Sequence, residues 1–251
     1  MSLYRILKHS LLVLSLMCLS STFANAADHD ERPGLTYYVM RVIYPENEKG
    51  GVTLTTYNKT DRAWLLQSFI RPVGEEGLPD FDGASNAKMP FIVTPPLERL
   101  DAQSELTLRI RRNEVSLPDD RESVFFIAMK AIPAQQENQG TGESKVVLAV
   151  VNNMKVFYRP IGLKKRAIEY LDHELRFRKE DHQLIAVNPT PYWITFSHLQ
   201  AGKQALNKEQ LRLMVPPEGE RIYTLPQKVT GKIKWQLIDE DGWSTKVRYQ
   251  N

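Results

Sequence analysis

The stretch from Val146 to Pro160, Val-Val-Leu-Ala-Val-Val-Asn-Asn-Met-Lys-Val-Phe-Tyr-Arg-Pro, constrains this chain more than any other. It is too short to cross a bilayer and too apolar to be a solvated loop. Its Val and Leu residues fall on both faces of a strand, whereas a strand in an antiparallel sheet normally shows one polar face to water. A strand apolar on both faces needs two apolar partners. One can be its own core, and the other can be supplied by something else.

The N-terminus is set apart from the fold. Arg5, Lys8 and His9 precede the apolar run Leu11 to Leu19, and Ala24-Asn25-Ala26 follows as a small-x-small cleavage site. That pattern predicts a secretory signal peptide over residues 1–26, with no small residue before Cys18 to make it a lipoprotein signal. Cleavage after Ala26 would remove Cys18, the only cysteine, and leave an exported chain with no disulfide to hold it. About 225 residues would remain, enough for one large domain or two modest ones. No later segment is apolar enough to span a membrane, so a soluble mature chain is expected. A net charge of +3 is a small difference between 33 basic and 30 acidic residues and does not suggest a nucleic-acid partner. The clusters Arg109-Ile110-Arg111-Arg112 and Lys164-Lys165-Arg166 are local and read as a solvated strand edge and a linker.

Short alternating runs dominate the rest. Leu106, Leu108 and Ile110 alternate with Thr107, Arg109 and Arg111; similar runs cover Leu35 to Tyr44, Gly51 to Tyr57, Ala63 to Ile70 and Ser123 to Ile132. Turn residues separate them, among them Pro45-Glu46-Asn47 and Pro118-Asp119-Asp120. This spacing predicts an all-β sandwich. Residues 133–145 are polar and read as a loop. Pro160 marks the domain boundary, which gives domains over 27–160 and 161–251. Ala167, Ile168, Leu171 and Leu175 fit a helix, but an extended entry followed by a strand at Leu175 to Arg178 suits the strands that follow. Those are expected at Gln183 to Val187, Tyr192 to Leu199, Arg212 to Val215, Arg221 to Leu225, Lys232 to Ile238 and Lys246 to Tyr249, forming a second, smaller sandwich.

No enzyme signature appears. There is no phosphate-binding glycine loop, no pair of His at metal-ligand spacing and no nucleophile elbow, so neither catalysis nor a metal or other cofactor is expected. Asn58-Lys59-Thr60 matches a glycan acceptor, a three-residue pattern common by chance. The other reading is an exported sandwich that binds carbohydrate or acts as an adhesin. It would draw on Trp193, Trp235 and Trp243, although the first two sit in strand-like runs and suit a core.

Several local sequences have an order that no single one explains. They are Arg41-Val42-Ile43-Tyr44-Pro45; Phe91 to Leu100 with its Thr-Pro-Pro-x-x-Arg-Leu core; Leu117-Pro118 with Asp120-Arg121-Glu122-Ser123; Ala131-Ile132-Pro133; Lys155 to Pro160; and Asn188-Pro189-Thr190-Pro191-Tyr192. The adjacent prolines Pro95 and Pro96 suit a cis bond at a sheet switch or a rigid turn. In this order, from Tyr37 to Val247, the sequence resembles the PapD-type periplasmic pilus chaperones of the chaperone–usher pathway. The resemblance implies two immunoglobulin-like sandwiches at an angle with a cleft between them. It further implies a periplasmic protein that binds, folds and caps pilus subunits and hands them to an outer-membrane usher. In that family the chaperone lends a strand to a subunit whose own sandwich lacks one.

Carried onto this chain, the resemblance implies three groups of residues. Val146, Leu148 and Val150, which share a face with Met154 by the strand period of two, would enter the subunit groove. Arg41 and Lys155 match the cations that hold the subunit's C-terminal carboxylate. Glu122, Arg159 and Glu240 align with charged residues that tie the two domains together, though Asp239-Glu240-Asp241-Gly242 departs from the family's usual Asn-Asp-Tyr-Gly turn. Phe69 stands where a Trp is common. The short loop over 133–145 looks like the branch that serves rod-like pili. An exposed apolar strand of this kind also invites self-association of the free chain.

Overall fold

The computed structural model describes residues 34–74, 76–81, 88–134 and 148–251. The leader segment, most of the expected 133–145 loop and Val146 lie outside the described residues.

The first sandwich is built from nine strands: β1 (Leu35–Thr36), β2 (Arg41–Pro45), β3 (Val52–Asn58), β4 (Trp64–Arg71), β5 (Phe91–Thr94), β6 (Leu97–Leu100), β7 (Glu105–Arg112), β8 (Ser123–Pro133) and β9 (Val150–Arg159). One sheet runs β1-β3-β7-β5 and the other β2-β9-β8-β4-β6. The chain switches sheet at every step from β1 to β8, and at the step between β5 and β6 the Thr94–Pro95 peptide is cis. Alternation decides what is buried. Trp64, Leu66 and Ile70 of β4 point inward, as do Leu108 and Ile110 of β7. They meet Leu54, Phe91, Val93, Ile127, Met129, Met154, Val156 and Tyr158 in one core. Tyr44, Phe91 and Tyr158 pack ring on ring, with Tyr44 and Phe91 centroids 4.9 Å apart.

The second sandwich contains β10 (Arg176–Glu180), β11 (Gln183–Asn188), β12 (Phe196–Ala201), β13 (Gln204–Ala205), β14 (Gly219–Thr224), β15 (Ile233–Leu237) and β16 (Arg248–Gln250). Its sheets run β10-β11-β14 and β13-β12-β15-β16. Phe177, Leu184, Phe196, Tyr223, Ile233 and Trp235 share its core. Three expectations need correction. The strand expected from Tyr192 begins only at Phe196. A turn of helix, α1 (Ile168–Leu171), precedes β10, so the strand begins one residue later than the apolar spacing implied. The strand expected at Arg212 to Val215 is instead the end of α2 (Lys208–Arg212), followed by an isolated bridge between Val215 and Ile194. The reason is a capping box. Asn207 Oδ1 accepts from the Gln210 N–H at 2.9 Å, and Gln210 Oε1 accepts from the Asn207 N–H at 3.2 Å.

A third apolar cluster joins the sandwiches. Val124, Phe126 and Phe157 from the first pack with Met214 from the second, with Ile43, Val73 and Trp193 around them. The all-β, two-sandwich architecture expected from the alternating runs is the one found.

Candidate functional site

β9 is covered unequally along its length. β8 pairs with it antiparallel from Ser123↔Tyr158 to Ala131↔Val150. β2 pairs with its other side, in parallel, only from Arg41↔Lys155 to Pro45↔Arg159. From Val150 to Met154 that second side has no strand beside it among the described residues. Met154, Val156 and Tyr158 lie in the sandwich core. Val150 continues the same face by the period of two, and it is 63 % exposed. Leu148, two residues earlier, is 76 % exposed. An apolar edge therefore runs past the end of the core it grew from.

Two cations mark the point where coverage stops. Arg41 and Lys155 are register partners, so both side chains leave the sheet on the same face. Arg41 Nη1 donates to the Ile238 carbonyl at 3.3 Å, and its guanidinium carbon lies 5.5 Å from the Phe157 ring centroid. Its Nε is buried without a hydrogen-bond partner. Lys155 Nζ has one weak contact, donating to Thr195 Oγ1 at 3.4 Å. Neither cation forms an ion pair among the described residues. Burial pushes the Lys155 ammonium down to about 7, and the Arg41 charge pushes in the same direction. Burial also lowers Arg41, against the pull of Glu122, Asp239 and Glu240. The pair is thus a half-buried site of positive charge with no carboxylate paired to it among the described residues. A carboxylate suits it, because a guanidinium can give two parallel N–H bonds and an ammonium adds a point charge.

Four residues further along β9, Arg159 has the opposite character. Its Nε and Nη2 donate to Glu122 Oε1 at 2.9 and 2.6 Å, and its Nη1 donates to Glu240 Oε1 at 2.7 Å. Glu122 Oε2 accepts from the Trp193 N–H at 2.9 Å. Glu240 also accepts from the backbone N–H groups of Arg166 and Ala167, at 2.7 and 3.1 Å. Burial works against the Arg159 charge, but Glu122 and Glu240 together hold it above the usual arginine value. A fully bonded triad of this kind joins the segment just before β8, β9 itself and the turn after β15.

Residues 34–164 match the family described as the pili and flagellar-assembly chaperone PapD N-terminal domain, and residues 171–249 match the pili assembly chaperone PapD C-terminal domain. The chain belongs to the PapD family of pili-assembly chaperones. Chaperone protein FocC of Escherichia coli is 35% identical over 215 residues, covering 85% of this chain and 88% of FocC. The crystal structure of the E. coli chaperone DraB superposes with a TM-score of 0.70 at 32% identity, over 87% of this chain and 98% of that one. A Salmonella enterica structure of SafA pilin in complex with the SafB chaperone contains a chain matching at a TM-score of 0.71 and 25% identity, over 86% of this chain and 95% of that one.

In this PapD-family chain, the residues singled out from sequence fall into two places. Arg41 and Lys155 stand side by side at the end of the uncovered edge that carries Leu148 and Val150, while Glu122, Arg159 and Glu240 form the bonded triad. Two contributors escaped the sequence reading. Thr195, the hydrogen-bond partner of Lys155, follows the Asn-Pro-Thr-Pro-Tyr motif by three residues, and nothing in its local pattern distinguishes it. Trp193 gives both its backbone N–H and its indole N–H to Glu122, at 2.9 and 3.1 Å. That use, with Trp235 buried in the second core, leaves Trp243 as the one exposed aromatic of the three offered for a carbohydrate platform.

Proposed function

We propose that this chain is an exported, periplasmic chaperone that captures pilus subunits along the free edge of β9 and passes them to an outer-membrane usher. The observation that carries the reading is the coincidence at Lys155: backbone coverage of β9 ends there, an apolar edge begins, and two half-buried cations have no ion-pair partner among the described residues. A subunit strand laid along this edge completes the backbone pairing, which is β-augmentation. Its sandwich core would receive Leu148, Val150 and Val146, each worth roughly 1.5–3 kcal/mol once buried. Its C-terminal carboxylate would sit on Arg41 and Lys155, with charge-assisted bonds worth about 1.5–3 kcal/mol each. The carboxylate sets the register, and register decides which apolar side chain meets which part of the groove. Glu122, Arg159 and Glu240 hold the domains 27–160 and 161–251 so that both sides of the anchor stay in place. Release needs no catalytic step: a subunit leaves when a better-fitting strand from its neighbour replaces β9.

The test is co-expression with a pilin subunit and recovery of the complex. Arg41→Ala and Lys155→Ala should each lower recovery at least tenfold while the free protein keeps its thermal midpoint within a few degrees. Undiminished recovery in both variants would refute the carboxylate anchor.

A further inference from the structure

A half-buried site with two positive groups side by side and no carboxylate paired to either has one inexpensive way to lower its own energy. Arginine keeps its proton under all ordinary conditions, whereas lysine gives its proton up readily when buried. The charged groups around this face are few. Arg41 on β2 is the register partner of Lys155; Phe126, its partner on β8, is apolar. Arg159, four residues on along β9, engages Glu122 immediately before β8 and Glu240 from the turn after β15. Asp239 in that same turn accepts from the backbone N–H groups of Asp241 and Trp243. No carboxylate pairs with Lys155, and its contact on the second sandwich is the neutral Thr195 hydroxyl.

We propose that Lys155 is a proton-coupled anchor: beside Arg41 and with no paired carboxylate it gives up its proton in the free chaperone, and it takes one from solvent as the subunit's C-terminal carboxylate seats. The inference rests on the carboxylate-anchor reading above. The amine lone pair accepts the proton, the new ammonium donates to the carboxylate, and nothing else is consumed. The free site then holds one half-buried charge instead of two, which lowers the cost of waiting without a client. The bound site holds two cations and one anion.

Two pH dependences of opposite sign follow. Binding raises the Lys155 value above its free value of about 7, so affinity is flat below that pH. Above it, affinity falls by up to about tenfold per pH unit until the bound lysine itself loses its proton. Folding does the reverse. The folded free chain lowers Lys155 from 10.5 to about 7, so between those values the unfolded chain binds more protons and this group makes stability rise with pH.

The experiment is a pH titration by NMR of protein carrying 13C at lysine Cε, free and as the purified complex with a co-expressed pilin. One lysine signal, missing in Lys155→Arg, should titrate near pH 7 in the free protein and stay in its charged position through pH 9 in the complex. In free Arg41→Ala the same signal should titrate at higher pH, because a neighbouring positive charge has gone. A Lys155 signal that stays charged through pH 9 in the free protein overturns the proposal, and so does one that titrates identically free and bound. Lys155→Met separates this failure from failure of the anchor. A complex lost in Lys155→Met, with Lys155 charged throughout in the free protein, leaves the anchor standing and removes the proton coupling. A complex kept in Lys155→Met removes the anchor itself.

Discussion

The two sandwiches treat their edge strands in opposite ways. β10 ends the three-stranded sheet of the second sandwich with the sequence Arg-Phe-Arg-Lys-Glu. Its outward side chains are charged, Arg178 pairs with Glu220 at 3.0 Å, and the backbone of Phe177 is already taken. Gln250 Oε1 accepts from the Phe177 N–H at 2.9 Å, and Gln250 Nε2 donates to the Phe177 carbonyl at 2.6 Å. Charge and occupied backbone groups are how folded proteins keep edges from pairing with strangers. Among the described residues, the uncovered part of β9, Val150 to Met154, has neither defence. One chain thus blocks an edge in one sandwich and leaves an apolar edge bare in the other, beside two basic residues with no ion-pair partner among the described residues. The bare edge reads as a feature of use rather than as a general laxity of the fold.

The comparison breaks most violently if the triad behind β9 is cut. Arg159→Ala strands Glu122, which is buried to within a few per cent, with its charge uncompensated. Removing one partner of a buried pair costs about 3–5 kcal/mol. Denaturant unfolding should show a loss of that size. A loss under about 1 kcal/mol would mean that water reaches Glu122 and that the triad is not holding the sandwiches. A more selective break gives β9 the kind of defence that β10 has. Leu148→Glu places a charge on a side chain that is 76 % exposed, so the free protein should unfold at an unchanged midpoint. Pilin recovery should fall at least about tenfold, since the burial of one Leu is lost and a carboxylate would have to be desolvated. A stable complex would exclude insertion at that position.

Much of this arrangement is legible in the sequence because its causes are local. Leu106, Leu108 and Ile110 alternate along one face of β7 as a strand face must, and Val150 and Met154 keep the expected parity in β9, with Leu148 just before its start. What escaped depends on distant partners or on competing local rules. The end of β9 coverage is set by parallel pairing with Arg41, more than a hundred residues earlier, and no pattern near Lys155 encodes it. α2 was hidden because Leu211, Leu213 and Val215 alternate like a strand, while Asn207 and Gln210 cap a helix and prevail. Asn58-Lys59-Thr60 looked like a glycan acceptor, yet Asn58 is buried and every polar atom of its amide is engaged.

That asparagine is also where the sandwiches agree. Asn58 Nδ2 donates to the carbonyls of Arg62 and Asp101, and its Oδ1 accepts from the Thr60 N–H and hydroxyl. Asn188, at the end of β11, repeats this bond for bond: Nδ2 to the carbonyls of Tyr192 and Pro216, Oδ1 from the Thr190 N–H and hydroxyl. In each sandwich one Asn-x-Thr corner satisfies the carbonyl four residues on and another from a distant turn. Three residues are too few to register as a repeat in sequence, but the geometry is one device used twice. Asn58→Ala and Asn188→Ala should therefore cost about the same, roughly 2 kcal/mol each if one or two buried backbone groups are left unpaired. Unequal costs, beyond about 1 kcal/mol apart, would show that the corners only look alike.

The smallest effect probes the defended edge itself. Gln250→Ala frees the N–H and carbonyl of Phe177 on an edge strand whose flanking charges remain. Two hydrogen bonds at about 0.5–1.5 kcal/mol each bound the loss of stability, and exposure to water should bring it toward the lower end. If backbone occupancy and charge act together, Gln250→Ala alone keeps the free chain's association state unchanged. Adding Arg178→Val and Lys179→Val, which makes β10 resemble β9, should then produce concentration-dependent association measurable by sedimentation. A triple variant that stays monomeric would show that an apolar edge with free backbone groups does not by itself recruit a strand here, and the weight of client capture would shift from the edge of β9 to the cations beside it.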